Sequence, residues 1–180
     1  MADFKHIIPF IKRAEGGYVN DPLDHGGETN KGITYTTWCS VFGTNAHDRF
    51  VQMNDTDWGT VFKKLFWDAI LGDLIVSQRI ADIIVDWVWG SGKHYPEADV
   101  QDILAHTFSE HITVDGNFGP ATIKAINEVD EQKLWDAIVA KRFWFLDQCV
   151  VSHPTNAKFL QGWKNRMNHL IEFEKSGKLI

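Results

Sequence analysis

The sequence predicts a mainly α-helical fold with at most one short β-hairpin. Three observations carry this. Apolar residues recur at helical spacing through most of the chain, beginning with Phe4, Ile7, Ile8, Ile11 and Ala14. Capping residues and Gly or Pro stops separate these runs. One stretch, "HGGETNKGIT" at 25–34, instead has the glycine spacing of a small irregular hairpin. The 180 residues form one domain or two small ones. At that size folding buries roughly 70% of the unfolded chain's surface, so the core needs no metal or disulfide.

The first helical run stops at Gly16-Gly17. Pro9 inside it means that the helix either starts near Pro9 or bends there. Helical patterns follow at about 35–43, 56–71 and 74–89, and Asn54, Asp55 and Thr56 supply N-cap chemistry for the second. The most apolar stretch, "LIVSQRIADIIVDWVWG", carries Arg79, Asp82 and Asp86 and reads as a buried core helix. No run reaches the ~18 apolar residues of a membrane span. "GSGKHYP" at 90–96 is the best candidate boundary, dividing the chain into regions 1–90 and 91–180. Its shortness favours two halves packed into one body. Beyond it, helical patterns lie at about 97–109, 120–128, 130–150 and 155–174. Between the first two, "VDGNFGP" reads as a compact turn, with Pro120 in the first turn of the next helix. Asp115 in that turn lacks the further acidic ligands of a calcium loop.

Composition narrows the function. The formal charge of −6 argues against a general nucleic-acid binder, which needs clustered Lys and Arg at phosphates. Cys39 and Cys149 read as free thiols of a protein folded in a reducing cytosol. The N-terminal apolar run, broken by Pro9, Lys12 and Arg13, does not read as a signal peptide. The eight His show no metal-ligand spacing, which argues against a zinc peptidase or amidase. Most of the eight Trp sit in helical patterns and read as core.

The chemistry concentrates in "EGGYVNDPLDHGGETNKGIT", residues 15–34. Glu15 ends the first helix, where the dipole disfavours an ionised carboxylate. Such a carboxyl suits a general acid that protonates the leaving oxygen of a glycosidic bond. Nine residues on, Asp24 can face it across a cleft, to stabilise an oxocarbenium ion or orient a water that Thr29 holds. The neighbouring His25 reads as a loop residue, and Tyr18 as a saccharide contact or a loop residue. On residue types alone, the same stretch is good loop chemistry.

This stretch closely resembles the signature of glycoside hydrolase family 108, the lysozyme-like N-acetylmuramidases of phage endolysins and bacterial secretion activator proteins. "FKKLFWDAI" and "IIVDWVWGSG" resemble further segments of that family. "ITVDGNFGPATIKAIN" and "NAKFLQGWKNRM" resemble the peptidoglycan-binding-type region that follows it. The resemblance implies a lysozyme-like helical fold, with region 1–90 catalytic and region 91–180 of the peptidoglycan-binding type. It implies an N-acetylmuramidase that cleaves the β-1,4 bond between N-acetylmuramic acid and N-acetylglucosamine. Glu15 would be its acid, with Asp24 and Thr29 as further catalytic residues. Tyr18, Asn20 and Asn30 would contact substrate. Asn30 stands where related phage lysozymes carry a Thr, which leaves Thr29 and Thr34 as candidates for that role. Gly90 stands where an Asn is expected.

The implied partner is the peptidoglycan glycan strand, acted on by a monomer with no cofactor, no nucleic acid and no stable membrane association. The expected route is synthesis in the cytoplasm and action on the wall after release by a holin or another export path. Two rival readings are a lytic transglycosylase and a non-catalytic peptidoglycan-binding or secretion-helper protein.

Overall fold

The computed structural model describes residues 1–13, 15–20 and 27–179. It is 68% helical, with nine α-helices among the described residues and a single two-stranded antiparallel sheet. The expected mainly α class therefore holds, and so does the hairpin. Strands β1 (Thr29–Asn30) and β2 (Ile33–Thr34) pair in the register Thr29 with Thr34 and Asn30 with Ile33. The loop between them is only Lys31-Gly32, with φ of 48° and 79°. Two successive positive φ values match the twist of a two-residue hairpin, and Gly adopts them at little steric cost.

Helix α1 (Ile8–Arg13) begins just before Pro9, which occupies the first turn where no backbone donor is needed. The hairpin leads directly into α2 (Tyr35–Phe42), capped by Thr34, whose hydroxyl accepts from the Thr37 N–H at 3.1 Å. Helix α3 (His47–Val51) was not foreseen, because five residues are too few to show a period. Asn54 caps α4 (Asp55–Phe62), accepting from the Asp57 N–H at 2.9 Å.

The long helix expected at 56–71 is interrupted. After Phe62 the chain widens into a π-helical turn, Lys63–Trp67, and reaches Leu71 at φ 52° before a 3₁₀ turn, Gly72–Leu74. The cause is Trp67. Its ring is fully buried, its indole N–H donates to Asp73 Oδ1 at 2.7 Å, and a Cβ on Gly72 would lie 2.4 Å from its ring. The backbone bends around this side chain rather than continuing the regular hydrogen-bond ladder.

Helix α5 (Gln78–Ser91) is the axis of the molecule. Ile80 to Val88 are all buried, the pattern of a helix covered on every side. Against it pack α6 (His94–Thr107) and α8 (Glu131–Ser152), and α9 (Ala157–Ser176) packs along α8. The stretch expected as a boundary is mostly helical. Residues 90–91 finish α5 and residues 94–96 begin α6, leaving Gly92 at φ 72° and Lys93 as the connection.

The "VDGNFGP" segment is a turn tied down by the buried Gln101. The Gln101 carbonyl accepts from the Asp115 and Gly116 N–H groups at 3.0 and 2.8 Å, and its amide donates to Asn117 O at 3.0 Å. Pro120 then opens α7 (Pro120–Glu128). One hydrophobic cluster runs from Ala2 to Phe173, with Trp38, Trp58, Trp67 and Trp87 fully enclosed.

Beneath this core Asp86 accepts from both Arg142 Nη2 and Arg166 Nη2, at 2.9 and 2.7 Å. Burial pushes the Asp86 carboxyl up; the two guanidiniums outweigh this and hold it below the usual carboxylate range.

Candidate active site

Four elements meet at Glu15. The end of α1 delivers it, its backbone N–H still bonded to Lys12 O at 3.2 Å. The hairpin tip approaches from one side: a Cβ on Gly32 would lie 2.2 Å from Glu15 Oε2 and 2.8 Å from the Trp89 ring. That tip is held by α4, where the Trp58 indole N–H donates to Lys31 O at 2.9 Å. From the end of α5, the Trp89 indole N–H donates to Glu15 Oε1 at 2.9 Å. The Trp89 ring is itself fixed by Phe66, Phe62 and Trp58, with centroids 4.7, 5.7 and 5.6 Å away. One carboxylate oxygen is thus pinned by a donor, and the whole group is clamped between an indole and a glycine.

Glu15 lines a cleft of about 480 Å³ with Trp87, Trp89, Tyr95, Phe145 and Trp163. Gly90 and Ser91 form part of its wall, so the expected departure at Gly90 does fall on the cleft. Tyr95 is 61% exposed, and its ring lies 6.0 Å from that of Phe145. A cleft with exposed aromatic rings and one fixed carboxyl suits an extended ligand with apolar faces and hydroxyl edges.

The other expected site residues divide. Asp24 and His25 lie outside the described residues. Thr29 is half-buried on β1, and its hydroxyl donates to Gly27 O at 3.3 Å. Thr34 serves as the α2 cap. Asn20 is exposed. Tyr18 is exposed, and its hydroxyl donates to Glu28 Oε1 at 2.6 Å, which raises the phenol above its ordinary pKa. Glu28 also meets His47 Nε2 at 2.8 Å, so it ties the hairpin to α3.

Asn30 is 4% exposed, and its amide donates to Phe50 O and Val51 O at 2.8 and 3.0 Å. Both amide hydrogens are therefore committed to the end of α3 rather than offered to a saccharide.

Trp89 and Tyr95 escaped the sequence reading. The available signal for Trp89 was its place at the end of a buried helix, where an indole N–H needs a partner. Also unforeseen is a cluster drawn from three distant segments. His6, Asp82 and Glu174 offer ligand atoms that all lie within 4.8 Å of one another, with His6 Nδ1 and Asp82 Oδ2 at 2.6 Å. Burial raises Asp82 to about 7 and, with repulsion from Asp82, Glu174 to about 8. Carboxyls held this close and this buried can share a proton near neutral pH.

Residues 8–92 match the family model for glycosyl hydrolase 108, and residues 95–168 match that for a predicted peptidoglycan domain. The chain carries a glycosyl hydrolase 108 domain followed by a predicted peptidoglycan domain. Their order supports a glycosidase that acts on peptidoglycan at the cell wall. Among solved structures, that of Brucella abortus SagA is similar, with a TM-score of 0.74 and 23% sequence identity over 93% of this chain and 90% of that one. This likeness shows a shared fold. None of the curated proteins matches the chain. Among the described residues, no helix is long and apolar enough to cross a membrane. The two matches are separated only by residues 93–94, where α5 gives way to α6.

Proposed function

We propose that the protein is an N-acetylmuramidase that hydrolyses the β-1,4 bond between N-acetylmuramic acid and N-acetylglucosamine, with Glu15 as general acid. The observation that carries this is the Glu15 carboxyl at the cleft, held at Oε1 by the Trp89 indole. With Oε1 engaged as an acceptor, Oε2 is the oxygen left to deliver a proton to the glycosidic oxygen as the bond to the anomeric carbon breaks. Asp24 is proposed as the second carboxylate, facing the oxocarbenium ion or orienting the attacking water. Thr29 on β1 is proposed to hold that water, and Asn20 and Tyr18 to contact the saccharide. Tyr95 and Trp163 offer rings against which sugar faces stack.

Glu15→Gln tests the assignment, since it keeps the shape and removes the proton donor. Lysis of purified walls should fall roughly 10²–10⁴-fold, the usual worth of a general acid, with Tm unchanged. Near wild-type lysis by this variant would reject Glu15 as the acid. The masses of the released muropeptides decide the reaction type. Hydrolysis leaves a reducing muramic acid, whereas a transglycosylase leaves an anhydro end.

A further inference from the structure

Beside the cleft lies a second, smaller pocket of about 240 Å³, lined by Phe10, Arg13, Gly162, Asn165, Arg166 and His169. Arg166 lines both, so the two adjoin at this side chain. The smaller pocket contains no acidic side chain. Among the described residues, Arg13 makes no salt bridge. Arg166 is half-buried, fixed at one end by Asp86 and over the Phe10 ring at 5.3 Å. Asp86 is already matched by Arg142, so this group carries net positive charge next to the cleft. A chain of charge −6 thus turns a preformed cationic pocket toward its substrate groove.

We propose that this pocket binds the carboxylates of the peptide stems that branch from peptidoglycan strands, with Arg13 and Arg166 as the charged donors. The inference rests on the peptidoglycan reading of the cleft and deepens it. In an intact strand the lactyl carboxyl of muramic acid is tied up as an amide, so the carboxylates left on the strand belong to the stems. A strand lying in the groove sends its stems sideways, and a pocket that opens off the groove meets them. Guanidinium is the donor suited to this task, because its planar fork matches a carboxylate. Asn165 adds an amide, and Phe10 an apolar floor.

The experiment measures binding, so that it does not depend on catalysis. In the Glu15→Gln background, Kd is determined for soluble stem-bearing glycan strands. It is compared with Kd for the same strands after their stem carboxylates are converted to primary amides, which removes charge and keeps shape. Carboxylate strands should bind about tenfold tighter, the size of one charge-assisted hydrogen bond. Arg13→Gln, a change at the exposed end of α1, should abolish that preference. Lys124→Gln, an equal charge change on α7, should leave it intact. Added salt should shrink it as the charges are screened.

Equal Kd for the two strands, or a preference that survives Arg13→Gln, overturns the pocket assignment. If wild-type protein still cleaves walls in that case, the muramidase reading stands without it. If neither strand binds and walls stay intact, both fail.

Discussion

Gly32 answers to two constraints that meet at one atom. Its φ of 79° lies in the left-handed region, and its missing Cβ leaves the space that the Glu15 carboxyl occupies. Trp89 completes the clamp by donating to the other carboxylate oxygen. A hydrogen bond to a carboxylate is worth roughly 1.5–3 kcal/mol, and here it fixes the oxygen that must not swing away. Trp89→Phe keeps an aromatic ring against Phe66 and Phe62 but deletes the donor. It should lower kcat roughly 10–100-fold on soluble strands, with KM nearly unchanged. A kcat equal to wild type would show that Glu15 needs no such anchor. The place of Glu15 at the end of the first helical run was legible in the sequence, since Gly-Gly is a local stop signal. Its partner was not, because the pair is 74 residues apart and only the fold unites them.

At the scale of elements, legibility followed the same division between local and distant causes. The hairpin, the Asn54 cap and the Pro120 helix start are written within a few residues, and each stands where it was read. The π turn after Phe62 is local too, but Trp67, Gly72 and Asp73 make it through packing that a helical period does not display. The contact between the N-terminal segment, α5 and α9 is also a product of the fold, and it has a pH signature. Around Asp82 and Glu174 stand His6 and Asp3 from the N-terminal segment, Gln78, Arg79 and Asp86 from α5. Both carboxyls hold protons more tightly in the folded state than in the unfolded chain, where they titrate near 4. The folded state therefore binds more protons between that value and about 7–8, and stability falls as pH rises through this window. Glu174→Gln keeps a neutral side chain at all pH. Its Tm should decline less than that of the wild type between pH 5 and pH 8.5, a range set by those two values. Parallel Tm profiles would mean that the pair is not strained by ionisation.

For the whole molecule, the family boundary and the physical boundary need not coincide. Helix α5 ends the glycosyl hydrolase 108 match, yet its surroundings come largely from beyond residue 92. Trp87 packs edge-on against Phe145 of α8, with centroids 5.5 Å apart. Arg142 of the same helix donates to Ile83 O at 3.2 Å, and with Arg166 of α9 it neutralises the buried Asp86. Phe173 of α9 packs at a tilt against Phe10 of α1, with centroids 5.6 Å apart. Truncation at residue 92 removes these partners together. It uncovers Trp87, Val88 and their apolar neighbours, and strips Asp86 of both its cations; losing one partner of a buried ion pair already costs about 3–5 kcal/mol. That is a large share of the 5–15 kcal/mol that stabilises an ordinary domain. A fragment of residues 1–92 should therefore keep helical far-ultraviolet circular dichroism, bind a hydrophobic dye and melt without a cooperative transition. The clamp on Glu15 would loosen with it, because Trp89 sits on the helix that has lost its bed. A soluble 1–92 fragment that melts sharply and cleaves walls would show instead that the first region carries its own core and that the second is an appended module.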